Sequence, residues 1–143
     1  MNAKLLFSVV LFALGLQISG CDRNKISFSA DIQPILKASC LNCHNSASDE
    51  DADEDAMGEG AYASGFSVAN YDDVMKGTSL GPVVVPGSSM SSALYLVVAG
   101  KTDPAIRMPP HHDESWAEGR GTPLSANQIE MIAAWIDQGA KNN

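Results

Sequence analysis

Apolar residues recur at helical spacing in several stretches of the chain, and segments rich in glycine, proline and acidic residues separate them. The clearest predicted helix begins at a capping box formed by Ser125 and Gln128 and ends at Gly139. Its apolar face consists of Ile129, Ile132, Ala133 and Ile136. This pattern predicts an amphipathic helix that packs one face against a core.

A second helix is predicted near the start of the polar region. It begins near Ser29 or Asp31, both good capping residues, with Pro34 in its opening turn. Its apolar stripe consists of Ile32, Ile35 and Leu36. The helix leads the chain directly into Cys40.

Two further helices are predicted in the middle of the chain. The first covers Asn70 to Lys76 and stops at Gly77, and the second covers Ser89 to Ala99. The apolar positions of the second are Met90, Leu94, Val97 and Val98, with Gly100 as its C-cap. An extended loop at 83–85 separates them. Three to four helices, long loops and little strand predict an all-α domain.

The first twenty residues have the regions of a secretory signal. Lys4 is followed by an apolar run at 5–16 that is too short to span a bilayer, and the segment ends Ile18-Ser19-Gly20-Cys21. These last residues resemble the lipobox of bacterial lipoproteins, which implies that Cys21 is acylated and becomes the new N-terminus. Ordinary signal cleavage beside an accidental cysteine is the alternative.

The predicted organisation is a lipoprotein signal peptide at 1–20, a short tether at 21–27 and one domain at 28–143. The sequence therefore predicts an exported protein that a lipid anchor holds at a membrane, facing the periplasm. Whether this is the inner or the outer membrane stays open.

Charge limits the choice of partners. The chain has 9 basic and 17 acidic residues, a net charge of −8. Such an acidic protein is a poor match for nucleic acid and favours partners with basic surfaces. The acidic cluster from Asp49 to Asp55 cannot be buried and predicts a solvated loop. Calcium binding is the alternative, although the segment lacks the ligand spacing and the turn glycine of an EF-hand.

The run Cys40-Leu41-Asn42-Cys43-His44 has the C-x-x-C-H spacing of covalent c-type haem attachment. Two cysteines one helical turn apart can form two thioethers to one haem c, and His44 can bind the iron. A zinc site would need further ligands that the three cysteines and three histidines do not supply, and a redox dithiol would need a βαβ context.

Met108 is the candidate for the distal iron ligand. Pro109 and Pro110 stiffen the loop that presents its thioether, and Met with His is a ligand pair of cytochromes c. His111 and His112 are the alternatives, and a sixth position without a protein ligand is a third. Weaker pocket candidates are Arg107, which could pair with a haem propionate, and the aromatic residues Phe66, Tyr95 and Trp135.

These residues resemble monohaem class I cytochrome c, and most closely the planctomycete-type cytochrome c domain, over about Phe28 to Ala140. The motifs that carry the resemblance, in chain order, are Ile32-Gln33-Pro34-Ile35-Leu36, Cys40-x-x-Cys43-His44, Pro86-Gly87 with Ser92 and Leu94, Met108-Pro109-Pro110, and Trp135-Ile136-Asp137-Gln138-Gly139-Ala140. The resemblance implies N- and C-terminal helices that cross beside one haem, with His44 and Met108 as the axial pair. The acidic insertion and the two histidines depart from the family pattern.

The resulting expectation is an electron carrier and no enzyme. It would pass single electrons between periplasmic or membrane redox proteins. An alternative is a haem-based ligand sensor, or an accessory haem subunit of a periplasmic oxidoreductase, with a labile sixth ligand. A structural lipoprotein with an incidental C-x-x-C-H is the third hypothesis.

Overall fold

The computed structural model of the chain describes residues 25–45, 65–110 and 124–143. Regular structure in these residues is helical, and the nearest approach to a strand is one isolated bridge between Thr78 and Gly81. The predicted all-α class is therefore confirmed. Among the described helices, none is both long and apolar enough to cross a membrane.

Several predictions fall outside the described residues. They are the signal at 1–20, the acylated Cys21, the acidic cluster at 49–55, and the alternative ligands His111 and His112. These stay predictions from sequence.

The N-terminal helix begins earlier than expected. A π-helical turn, Phe28–Ile32, continues directly into α1, Gln33–Ser39. The Oγ of Ser27 accepts a backbone N–H of this turn at 3.2 Å, and the N–H of Ser27 donates to the carboxylate of Asp31 at 2.7 Å. The prediction that Ser29 or Asp31 caps this helix was wrong. Ser27 is the cap, and the carboxylate of Asp31 accepts its N–H.

The short helix α2, Tyr71–Lys76, has its predicted limits. Asn70 caps it by accepting the N–H of Asp73 at 2.9 Å, and the chain leaves at Gly77 with φ of 79°. A Cβ at Gly77 would lie 2.5 Å from the carbonyl oxygen of Gly81. Both the backbone angle and the space therefore require glycine at this position.

The third predicted helix is divided in two by the structure. A 3-10 turn, Ser89–Ser91, is followed by α3, Ala93–Val98. Between them Ser92 is extended and fully buried, and its Oγ accepts the N–H of Val85 and donates to the carbonyl of Ser88, each at 2.8 Å. A continuous helix was a wrong prediction, because these side-chain bonds hold the backbone open.

The break changes which methionines reach the core. Leu94 and Val98 on α3 are buried as predicted, but Met90 lies in the 3-10 turn and is 62% exposed. Core packing was therefore the wrong prediction for Met90. Met75 and Met131, by contrast, lie on helices and pack partly buried against the core.

The last helix, α4, covers Ala126–Asp137 and confirms the sequence pattern. Ser125 and Gln128 form the predicted capping box, with a Ser125 N–H bond to the Gln128 side chain of 2.8 Å. Gly139 follows the helix with φ of 98°. This left-handed residue ends the helix as the sequence predicts.

The N-terminal turn packs against α4 and α2 through aromatic rings. The ring centroid of Phe28 lies 5.5 Å from that of Trp135 and 5.1 Å from that of Tyr71. The arrangement agrees with the packing of N- and C-terminal helices that the resemblance implied. The buried apolar core consists of Phe28, Ile32, Ile35, Leu36, Val68, Val74, Val84, Leu94, Val98, Ile132, Trp135, Ile136 and Ala140.

The end of the chain is bonded to its first turn. The Oγ of Ser27 donates to the carbonyl oxygen of Asn143 at 2.6 Å, and the N–H of Ser29 donates to the same oxygen at 3.2 Å. The hydroxyl of Tyr71 donates to the carbonyl of buried Ala140 at 2.9 Å. These bonds join the two ends of the domain beside the core.

Candidate cofactor site

The C-x-x-C-H run forms one further turn at the end of α1. The N–H of Cys40 donates to the carbonyl of Leu36 at 2.9 Å, which continues the helical pattern. The N–H groups of Cys43 and His44 then both donate to the carbonyl of Cys40, at 3.2 and 2.9 Å. Cys40, Cys43 and His44 therefore lie within a single turn of the backbone.

Both thiols of this turn are free and partly buried. Desolvation raises the pKa of Cys40 from 9.0 to about 11, and the neighbouring Cys43 adds to the shift. Cys40 is therefore a neutral thiol at neutral pH. Catalytic and redox-active cysteines have a depressed pKa, so the Cys40 environment argues against a dithiol redox centre.

Residues 66–68, which come well after His44 in the sequence, hold it through two contacts. Its carbonyl oxygen accepts the N–H of Val68 at 2.8 Å. Its imidazole lies edge-on to the ring of Phe66, with 5.4 Å between centroids and 61° between planes. The residues 66–68 thus fix both the backbone and the ring of His44.

The electronic state of His44 suits a metal ligand. Burial lowers the pKa of the imidazole, and a hydrogen bond with the backbone of Phe66 opposes this effect. The ring is consequently neutral at neutral pH, as metal ligation requires. Its Nδ1 is buried and has no hydrogen-bond partner among the described residues, which leaves the ring short of one interaction.

Met108 lies in a loop that is tied to α3. Its N–H donates to the carbonyl of Val97 at 3.2 Å, and the preceding Arg107 is extended, with φ of −67° and ψ of 145°. The peptide bond to Pro109 is cis, and Pro109 is buried. Met108 itself is partly buried and packs against the core. The structure thus places a loop-borne methionine at the core, while Met90 is turned to solvent.

The aromatic candidates separate into different roles. Of the three, Phe66 is the one whose ring is described in contact with His44. Trp135 is 1% exposed, and its Nε1 donates to the carbonyl of Lys141 at 3.0 Å, which fits a core residue. Tyr95 packs partly buried against the core, with the Nζ of Lys101 5.9 Å from its ring centroid.

The structure brings some predicted site residues together and leaves others apart. Cys40, Cys43 and His44 share one turn, and Cys40, Phe66 and Met108 border the same core. No described contact joins Met108 to His44. Sequence reasoning missed Val68, whose apolar character alone does not distinguish a support for His44 from an ordinary core residue.

The donor set fits a covalently attached haem. It consists of two free thiols one turn apart, a neutral imidazole with a nitrogen that lacks a partner, and a partly buried thioether. Within the described ranges, no group of three or more His, Cys, Asp or Glu side chains could hold a bare metal ion. A porphyrin brings its own four nitrogen ligands, so haem iron needs no such cluster.

Comparison with known proteins agrees with this geometry. The family model described as Planctomycete cytochrome C matches residues 40–112, just over half of the chain. The match begins at Cys40 and includes Met108. No curated protein and no solved structure matches the chain. Membership in a cytochrome c family implies a covalently bound haem and an electron-transfer role rather than an enzymatic one. The chain belongs to the Planctomycete cytochrome C family.

Proposed function

We propose that this protein is an exported, lipid-anchored cytochrome with one haem c, and that it carries single electrons between periplasmic or membrane redox proteins. The observation that supports this most is the turn from Cys40 to His44. It combines two free thiols with a neutral imidazole whose buried Nδ1 lacks a partner among the described residues. This donor set is the one that thioether attachment and axial ligation use.

Four residues would hold the cofactor. Cys40 and Cys43 would form the thioethers, His44 would be the proximal iron ligand and Met108 the distal one. When bound, the haem supplies a reversible one-electron couple between ferrous and ferric iron. The potential of that couple depends on the axial thioether, on burial and on nearby charge, which are all properties of the surrounding chain.

The residues around His44 keep it ready for this role. The Val68 N–H bond fixes its backbone, the Phe66 ring restricts its imidazole, and burial keeps it unprotonated. A ligand held in this way would need little rearrangement on binding the cofactor. If His44 and Met108 both bound the iron, no position would remain for a substrate, which favours a carrier over an enzyme.

The partners and location follow from the N-terminal segment and the charge. Removal of residues 1–20 takes Lys4 away and changes the net charge from −8 to −9. An acylated Cys21 would then hold this acidic domain at a membrane facing the periplasm. Long-range attraction would steer redox partners with basic docking surfaces toward it and make their association weaken with rising salt concentration.

Haem attachment can be tested on the full chain. The chain is expressed with its own first twenty residues in a bacterium that matures c-type cytochromes, and the protein is stained for haem after denaturing electrophoresis. We expect stain on the native chain and none on the Cys40→Ala, Cys43→Ala double variant. The matched control Cys21→Ser removes the third cysteine and should retain the stain. A colourless native chain with both thiols open to alkylation would contradict the proposal.

A further inference from the structure

Arg107 stands next to the candidate ligand Met108 and has a side-chain donor without a partner. Its Nε is buried, yet no described side chain or backbone oxygen accepts a hydrogen bond from it. Arginine stays charged at any accessible pH and has five N–H donors and no acceptor. A buried donor without an acceptor costs free energy, so its retention calls for a partner outside the described residues.

The guanidinium lies against Gly100, just beyond the end of α3. A Cβ added to Gly100 would lie 3.6 Å from both the Nε and the Cζ of Arg107, so the side chain lies directly over this glycine. Gly100 has φ of 64°, and it follows the end of α3. The carbonyl of Val97 in the same helix end accepts the N–H of Met108. One helix end therefore supports both the charged group and the candidate iron ligand.

The chemistry of the missing partner follows from the donor. A fixed guanidinium presents a planar fork of N–H groups, and carboxylates match this fork with two oxygens. A haem has two propionate carboxylates at its edge. We infer that Arg107 donates hydrogen bonds to a haem propionate and so positions the cofactor on the Met108 side. This inference rests on the proposed function, because it requires the haem to be present.

The pairing of Arg107 with a propionate would also affect the reduction potential of the haem. A cation beside the haem favours the reduced state, and here it offsets a carboxylate that favours the oxidised state. Loss of Arg107 leaves the carboxylate charge uncompensated and therefore lowers the reduction potential. If Arg107 only stabilised the loop, it would make no hydrogen bond to the propionate.

The experiment compares holoprotein variants by two readouts, the propionate bending band in resonance Raman spectra and the reduction potential. In Arg107→Gln we expect a shift of the propionate band and a lower potential. Arg107→Lys keeps the charge without the fork, so it should restore most of the potential and only part of the band position. The matched control Lys101→Gln removes an exposed charge from the same connecting segment and should leave the band unchanged.

Three outcomes would overturn the inference. One is an Arg107→Gln holoprotein with the native band and potential. Another is an equal response in Lys101→Gln, which would indicate a general charge effect. The third is loss of Met108 ligation with an unchanged propionate band, which would make Arg107 a support of the loop alone. A native chain that binds no haem would instead refute the proposed function.

Discussion

The rings of His44 and Phe66 meet edge to face with 5.4 Å between their centroids, across a gap in sequence that contains the acidic cluster. The same segment bonds the backbone of His44 through Val68 at 2.8 Å. The residue proposed to bind the iron is therefore positioned by residues 66–68, and this support is open to mutation without loss of any proposed ligand.

Replacement of Phe66 tests this support. Phe66→Leu removes the ring against His44 and should lower the free energy of unfolding of the holoprotein by about 1 kcal/mol, since the side chain is only partly buried. It should also shift the reduction potential, because the imidazole gains freedom. The matched variant Tyr71→Leu removes a partly buried ring that packs against Phe28 instead. It should destabilise at least as much, because its hydroxyl bond to Ala140 is also lost, and leave the potential unchanged. Equal potentials in both variants would contradict the role of Phe66.

Replacement of Met108 tests the distal ligand. Met108→Leu has a similar volume but no sulfur, so the holoprotein should lose the weak long-wavelength absorption of Met-ligated ferric haem, and its ferrous form should bind carbon monoxide readily. The control Met90→Leu changes a methionine that is 62% exposed and should keep the native spectrum. A native protein that already binds carbon monoxide readily would favour the sensor hypothesis instead.

The raised pKa of Cys40 predicts a pH dependence in the haem-free chain. The folded value is about 11 against 9.0 for an unperturbed thiol, so the unfolded chain releases its proton first as pH rises. The contribution of the protonated Cys40 thiol to the free energy of unfolding is fully present below pH 9, and it is lost between pH 9 and about 11. Urea unfolding at several pH values should show this decline. In Cys40→Ser the hydroxyl does not titrate, so an unchanged decline in that variant would assign the effect to another group.

Replacement of Ser92 should lower the stability of the protein without changing its haem site. Ser92→Ala removes a fully buried hydroxyl and leaves the N–H of Val85 and the carbonyl of Ser88 without this partner. We expect a loss of about 1–3 kcal/mol in chemical unfolding of the holoprotein. Its haem spectrum should be native. The control Ser79→Ala removes an exposed hydroxyl and should change stability by less than about 0.5 kcal/mol. A neutral Ser92→Ala would show that the open backbone at this position has another cause.

The lipid anchor can be tested by cell fractionation. In the native chain we expect haem-stained protein in the membrane fraction and a mass that includes acyl chains on Cys21. Cys21→Ser, exported behind an ordinary cleavable signal in place of residues 1–20, should appear as stained protein in the soluble periplasmic fraction, because the attachment is the lipid rather than the domain. Retention of the Cys21→Ser variant on the membrane after a salt wash would contradict the proposed anchor.

Local sequence predicted the elements whose caps and faces lie within one or two turns. The limits of α2 and the capping box of Ser125 and Gln128 follow from bonds between residues three apart. The C-x-x-C-H turn is predictable for the same reason, since its residues and its backbone bonds are adjacent in sequence. Short-range chemistry was sufficient in these places.

Other features depend on residues far apart and were missed. One is the bond at the start of the 3-10 turn, where the N–H of Ser89 donates to Asp137 at 2.7 Å, 48 residues later. The support of His44 by residues 66–68 is equally non-local. No pattern within a helical window contains either bond, so three-dimensional packing was needed to find them.

The bonds from Ser27 and Ser29 to Asn143 make the two ends of the described domain neighbours. A fluorophore or affinity tag joined at Asn143 would therefore emerge beside the segment that leads to Cys21, close to the bilayer if that cysteine is acylated. Reporters of partner encounter should instead be attached at Leu80, whose side chain is 96% exposed.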